Sequence, residues 1–224
     1  MFVDLIGSTA LSAQLDPEDM GEIIRAYQDA CVGVITRFEG HVAQYLGDGV
    51  LAYFGYPRTD EDVVERTVRA GLSIIEAVRA LRPSIKVDLH VRIGINTGLV
   101  VIRDLIGEGG SREQAAIGET PNLAARLMAL AKPDEVVIGS TTRRLLGDLF
   151  EVQDLGVHWL HGFAEPVQAW RVIGEGRAEG RFEAEIAPLE GLDRDEGPRE
   201  PNLEKIRSLP TLVDGGRVTA AVAS

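Results

Sequence analysis

The stretch HVAQYLGDGVLAYFGYP, residues 41–57, decides how this chain folds. Two apolar runs, Val42 to Leu46 and Val50 to Phe54, flank Gly47-Asp48-Gly49. Asp-Gly between such runs is a strong hairpin signal, because both residues tolerate the left-handed backbone of a tight turn. Asp48 therefore sits at a hairpin tip, where an acid taken alone is a turn former and nothing more. A second acid changes its meaning. In FVDLIGST, residues 2–9, a short apolar segment runs through Asp4 into a Gly-Ser-Thr loop and then a helix. A strand-end Asp4 beside a hairpin-tip Asp48 suits a divalent cation, and the backbone N–H groups of the following small-residue loop suit a phosphate.

Helices are expected on both sides of the hairpin. Asp16-Pro17 reads as a cap followed by a first-turn proline, with Glu18 and Asp19 near the helix N-terminus. Ile23, Ile24, Tyr27, Cys31, Val34, Ile35 and Phe38 recur at helical spacing, and Gly40 stops the helix. After the hairpin, Thr59 to Leu81 forms a second helix, with Val64, Val68, Ile75 and Val78 on one face and Pro83 beyond its end. Val87, Leu89, Val91, Ile93 and Ile95 alternate as in a strand, and Asn96-Thr97-Gly98 turns the chain into a hairpin partner, Leu99 to Ile102. This order predicts an α+β fold with helices on one face of a sheet.

Leu105 to Gln114, with Gly107, Gly109 and Gly110, reads as an exposed, mobile arm. In GETPNLAARLMALA, Thr120 caps a helix that starts with Pro121, which puts Asn122 in the first turn and Arg126 one turn later on the same face. Both can address one ligand; singly, each is more ordinarily a helix-start residue and a surface charge. Val136 to Ile138, Ser140 to Leu146, Phe150 to Val152 and Val167 to Ile173 complete the domain as strand, short helix and two strands, ending near Glu175. Residues 176–224 shift to charge, Gly and Pro with Phe182 as the only aromatic, and read as linker or disordered tail.

A formal charge of −12 over 224 residues argues against a nucleic-acid partner, which requires clustered Lys and Arg. The one cysteine, Cys31, falls on an apolar helix stripe and reads as core. No signal peptide or membrane-length apolar run is apparent, so a cytoplasmic location is the default expectation.

FVDLIGST, YLGDGVLAYFGYP, VRIGINTG, GETPNLAARL and LHGFAEPVQAWRV, in this order and spacing over residues 1–173, resemble the class III adenylate/guanylate cyclase catalytic domain. The resemblance is to the bacterial kind often followed by an ATPase and helical repeats. It implies a ferredoxin-like βαββαβ core with a mainly antiparallel sheet over residues 1–175, and a head-to-tail homodimer with active sites shared between chains. It implies conversion of ATP, or of GTP, to the 3′,5′-cyclic nucleotide and pyrophosphate in intracellular signalling. Asp4 and Asp48, helped by the carbonyl of Leu5, would hold two divalent cations, Mg²⁺ or Mn²⁺. The backbone of Gly7, Ser8 and Thr9 would hold the triphosphate, Asn122 would orient the ribose, and Arg126 would stabilise the transition state. The chemistry asks for these types: growing charge on the α-phosphoryl oxygens needs a fixed, permanently charged donor, a role that suits Arg more than Lys.

The chain departs from the family pattern at three site positions and at its ends. The purine-reading lysine four residues before the second Asp is Gln44, and the partner position seven residues before the Asn is Ala115, so base selectivity does not carry over. The lysine of the late LKG-like motif, a contact for the terminal phosphates, is His161, which is mostly uncharged at neutral pH when unperturbed and without a ligand is simply a polar loop residue. Met1 lies three residues from Asp4, so the first strand reads as clipped, with little length to anchor a metal ligand. RFEAEIAPLEG resembles the segment leading into the ATPase, yet no P-loop signature follows. The alternative is a non-catalytic cyclase-like module that dimerises or binds nucleotide to regulate a partner; GETPNLAAR disfavours a diguanylate cyclase.

Overall fold

The computed structural model describes residues 1–57, 59–81, 87–106 and 112–176. The elements are β1 Phe2–Leu5, α1 Ser8–Ser12, α2 Pro17–Arg37, β2 His41–Leu46, β3 Gly49–Tyr53, α3 Val63–Ala80, β4 Val91–Ile95, β5 Val101–Ile106, β6 Arg112–Ile117, α4 Glu119–Leu130, β7 Glu135–Gly139, α5 Ser140–Leu146, β8 Phe150–His158 and β9 Val167–Glu175. The expected tail lies outside the described residues beyond Gly176, whose N–H still donates to the Leu149 carbonyl at 2.7 Å.

Local chemistry places α2 as expected. Asp16 caps it by accepting from the Asp19 N–H at 3.2 Å, Pro17 occupies the first turn, and Ile23, Tyr27, Cys31, Val34 and Ile35 are buried along one stripe. At Gly40 a Cβ would meet the Phe54 ring at 2.6 Å and the Ile35 methyl at 2.7 Å, so a side chain there would force both to shift where the chain enters the hairpin. α3 begins at Val63 rather than Thr59. Arg66 reaches back to Asp60 and Asp62, tying the acids that precede the helix into the loop.

Seven strands form one sheet in the order β2-β3-β1-β4-β7-β9-β8. Only β4 and β7 are parallel; every other neighbouring pair in that sheet is antiparallel. The first four strands with α2 and α3 make the βαββαβ core, in the order 2-3-1-4. The short β1 is well anchored despite its length, because β3 and β4 pair with its two edges. The expected hairpin after β4 does not form. β4 has both edges occupied, by β1 and β7, so β5 pairs instead with β6 in a separate two-stranded ribbon. Residues expected in a mobile arm therefore belong in part to strands; Gly107, Gly109 and Gly110 lie outside the described residues.

Helices cover both faces of the sheet, not one. Val136 and Ile138 point into the main core with α2 and α3, whereas Val137 packs with Leu127 and Ala131 of the α4 segment. Because successive strand residues face opposite sides, α4 must lie on the other face. Gly94 makes that possible: a Cβ there would stand 2.1 Å from the Ala124 carbonyl oxygen and 2.4 Å from the Met128 nitrogen. The backbone of α4 rests directly on β4. Among the described residues no helix is long and apolar enough to cross a membrane.

Candidate active site

The register of the sheet brings the two predicted acids together. Asp4 on β1 lies opposite Gly49 of β3, so Asp48 at the adjoining turn is next to its neighbour across the strands. On its other side Asp4 lies opposite Arg92 of β4, and Arg92 Nε and Nη2 each approach Asp4 Oδ2 at 2.7 Å. The Ser8 hydroxyl donates to Asp48 Oδ2. Gly47, at φ 68°, makes the turn, and Gln28 Nε2 of α2 donates to its carbonyl at 3.4 Å. Gly7, at φ 78°, swings the chain from β1 into α1, leaving Gly7 and Thr9 exposed and Ser8 partly so. Leu5 has a buried side chain, so only its backbone is available to a ligand.

Beneath this turn lies Tyr27, fully buried, with Cys31 one helical turn further along α2. Burial pushes the Tyr27 phenol far above its ordinary range, and Cys31, Asp4 and Asp48 push it further in the same direction. Burial likewise pushes the Cys31 thiol up to about 12, against a smaller opposing effect of Tyr27. Neither group ionises near neutral pH, so Cys31 is core, as expected from its stripe position.

The pair fits a hard cation. A carboxylate on β1 and another on the turn beside it repel one another, and each is matched to a donor, a guanidinium on Asp4 and a hydroxyl on Asp48. Among the described residues no group of three or more His, Cys, Asp or Glu side chains gathers as a metal cage. A cation held by one or two carboxylates, with phosphate and water completing its shell, is the pattern Mg²⁺ favours.

A second cleft, of about 730 Å³, is lined by Glu119, Asn122, Arg126, His161, Gly162 and Phe163, with two alanines. Asn122 and Arg126 lie one turn apart on the exposed face of α4, as their spacing predicts. The start of the helix differs from expectation. Thr120 does not cap it: the helix begins at Glu119, and the Thr120 hydroxyl donates to the Leu99 carbonyl at 2.9 Å. Pro121 is consequently the third helical residue, still within the turn whose N–H groups lack helical partners. His161 arrives from the loop after β8, held by the buried Leu160 and a turn in which the Phe163 N–H donates to Leu160 O at 3.1 Å.

Gln44 is exposed on β2 opposite Leu51, beside a bulge at Val42/Gln44, and Ala115 lies on β6 opposite Arg103. The sequence reasoning missed Arg92 and the side-chain role of Ser8. Arg92 stands in an alternating strand, VRIGI, where a charged residue between two buried ones marks the far face; which acid it meets follows only from the β1–β4 register. None of the residues lining the Asn122–Arg126 cleft belongs to the Asp4–Asp48 turn.

The model of the adenylate and guanylate cyclase catalytic domain matches residues 1–174. An uncharacterized protein of Rhizobium meliloti is 35% identical over 182 residues, covering 81% of this chain and 18% of that protein. Adenylate cyclase 1 of the same organism is 28% identical over 196 residues, 84% of this chain and 29% of that protein. The chain thus spans under a third of the length of these curated relatives. The crystal structure of the adenylyl cyclase CyaB from P. aeruginosa aligns with a TM-score of 0.73 and 28% identity over 80% of this chain and 94% of that one.

Proposed function

Because this chain belongs to the adenylate and guanylate cyclase catalytic domain family, we propose that it is a purine nucleotidyl cyclase whose active site is completed by a second copy of itself. The observation that carries the proposal is the retention of both halves of a site. Asp4 and Asp48 meet at one turn, while Asn122, Arg126 and His161 line one cleft elsewhere on the same chain. Apolar side chains exposed around the hairpin and the start of the ribbon, Tyr45, Leu46, Leu99 and Val101, support burial against a partner, Leu99 being 95% exposed.

In this reading the 3′-hydroxyl oxygen of ATP, or of GTP, bonds to the α-phosphorus as the bond to the bridging oxygen breaks. Pyrophosphate leaves, and the hydroxyl proton passes to solvent. Asp4 and Asp48, with the Leu5 carbonyl, would hold Mg²⁺ or Mn²⁺, which when bound promotes ionisation of the hydroxyl and neutralises the triphosphate. Arg92 balances the charge of Asp4 until a cation does so. The backbone N–H groups at Gly7, Ser8 and Thr9 receive phosphate oxygens. Asn122 fixes the ribose, so that attack is in line, and Arg126 offers a permanent charge to the α-phosphoryl oxygens. His161, in the same cleft as Arg126, meets the terminal phosphates through a ring N–H.

The non-catalytic alternative rests on Gln44, Ala115 and His161, which replace the expected purine and phosphate contacts. One experiment separates the two. Purified protein is incubated with ATP or GTP and Mg²⁺ or Mn²⁺, and cyclic product is sought by mass spectrometry. Product that disappears in Asp48→Asn supports the cyclase; nucleotide binding without product supports the regulatory module.

A further inference from the structure

Family resemblance gives Ser8 only a backbone amide to offer the triphosphate, yet its side chain is engaged elsewhere. Its hydroxyl donates to Asp48 Oδ2 across 40 residues of sequence. Both partners of that bond are fixed from behind. Gly7 adopts a left-handed conformation and its carbonyl accepts from the Leu11 N–H at 2.9 Å, so the turn holds Ser8 in place relative to Asp4. On the other side the Asp48 turn is bound to α2 through Gln28 and the Gly47 carbonyl.

An aspartate on a turn between two glycines has no side chains beside it to select its rotamer. A hydroxyl on one oxygen selects it and leaves the other oxygen, and the remaining lone pairs of Oδ2, for a cation. Because the donor is neutral, it orients the carboxylate without cancelling the charge a cation needs, unlike the guanidinium on Asp4. We infer that Ser8 is a positioning residue of the cation site: its hydroxyl sets the Asp48 carboxylate so that the cation shared with Asp4 and the triphosphate held by the adjoining amides occupy one geometry.

This inference rests on the cyclase reading and adds to it a side-chain role that can be tested apart from activity. Alanine keeps the Ser8 N–H, so a purely backbone role makes Ser8→Ala silent. Loss of an outer-shell partner of a metal-ligating carboxylate costs about 10–100-fold in metal affinity. The probe is Mn²⁺ alone, titrated into the wild type, Ser8→Ala, Ser8→Thr and Asp48→Asn, with free Mn²⁺ measured by its EPR signal. Thermal unfolding in EDTA is recorded alongside. The expected result is a Kd about tenfold higher in Ser8→Ala, substantial recovery in Ser8→Thr, which restores a hydroxyl, and metal-free melting within about 2 °C of wild type. Wild-type Mn²⁺ affinity in Ser8→Ala, together with weakened binding in Asp48→Asn, overturns the role of Ser8 and leaves the cation site standing. So do equal losses in the alanine and threonine variants, or a melting temperature that falls along with the affinity. If the wild type binds no Mn²⁺, or Asp48→Asn binds it as well as the wild type does, the cation reading fails and this inference with it.

Discussion

Replacing Gly94 with alanine should damage the fold and the site together. The added Cβ would stand 2.1 Å from the Ala124 oxygen, 2.4 Å from the Met128 nitrogen and 2.8 Å from its Cα. All three are backbone atoms of one hydrogen-bonded turn of α4, so no rotamer change relieves the clash. To reach even a tight contact of about 3.0–3.4 Å the helix must lift from the sheet by roughly 1 Å, opening gaps around Leu127 and Ala124, which are now fully packed. Overpacking of this kind costs about 1–3 kcal/mol, and a backbone obstacle belongs at the upper end. For a domain of this size about 3 kcal/mol lowers the melting temperature by roughly 6–12 °C.

Asn122 and Arg126 ride on the displaced helix. A misplacement of about 1 Å costs on the order of a hundredfold in rate where reacting groups must align. The assay is thermal unfolding followed by circular dichroism, with cyclic-product formation measured at a temperature where both proteins are folded. Gly33→Ala is the control: it lies inside the helix α2, where an added Cβ meets nothing within 4 Å, so the variant should gain about 0.8–1.0 kcal/mol from helix propensity. Gly94→Ala melting within about 2 °C of wild type would refute the close packing of α4 on β4.

Three further outcomes are expected. The side chain of Asp134, only 4% exposed, accepts from the Val91 N–H at 3.2 Å and lies 2.7 Å from His90 Nδ1 and 2.9 Å from Arg79 Nε; burial pushes its carboxyl up, but these bonds outweigh burial and hold it below the usual range. Its contribution is therefore present above pH ~4 and lost as pH falls through the folded value, so Asp134→Asn should cost about 1–3 kcal/mol at pH 7, with a gap from wild type that closes in urea titrations at more acid pH; a pH-independent gap refutes this. Asp48→Ala and Arg126→Ala should each be nearly inactive alone, and mixing them with verified subunit exchange should restore about a quarter of wild-type activity, since about half the dimers carry one intact site; no recovery in an otherwise active protein excludes shared sites. ATP and GTP should compete with similar affinity, because the amide of Gln44 can present either donor or acceptor; a preference above about a hundredfold in competition binding, roughly 2.7 kcal/mol, would point to backbone readout.

What could be read from the sequence was what short-range chemistry dictates. The Asp16 cap, the Gly47-Asp48-Gly49 turn and the buried stripe of α2 depend on neighbours within a few residues, and the structure has them where the sequence puts them. The misreadings arise where a tertiary partner outbid a local one. Thr120 has the side chain of a cap, but Leu99 offers its hydroxyl a carbonyl across the loop. Leu99 to Ile102 has the look of a hairpin strand, but β4 has no open edge to give it. Asn122 and Arg126 were legible because one helix carries both; their meeting with His161 needed the resemblance, since 35 residues and two strands separate His161 from Arg126.

The five residues of β4 show why so few positions organise so much of the site. Val91, Ile93 and Ile95 enter the main core, so the period of two forces Arg92 and Gly94 onto the opposite face. Paired residues of antiparallel strands share a face, which places Asp4 beside Arg92 and sends both away from α2 and α3. One strand therefore pairs Asp4 with a guanidinium through Arg92 and seats the helix that carries Asn122 and Arg126 through Gly94. A slip of one residue would bury a guanidinium, expose three branched side chains and put an isoleucine where α4 must rest. The apolar alternation that makes the core is thus also what holds the Asp4–Asp48 turn and the Asn122–Arg126 helix in fixed relation within one chain, and neither Arg92 nor Gly94 can move along the strand without losing its partner.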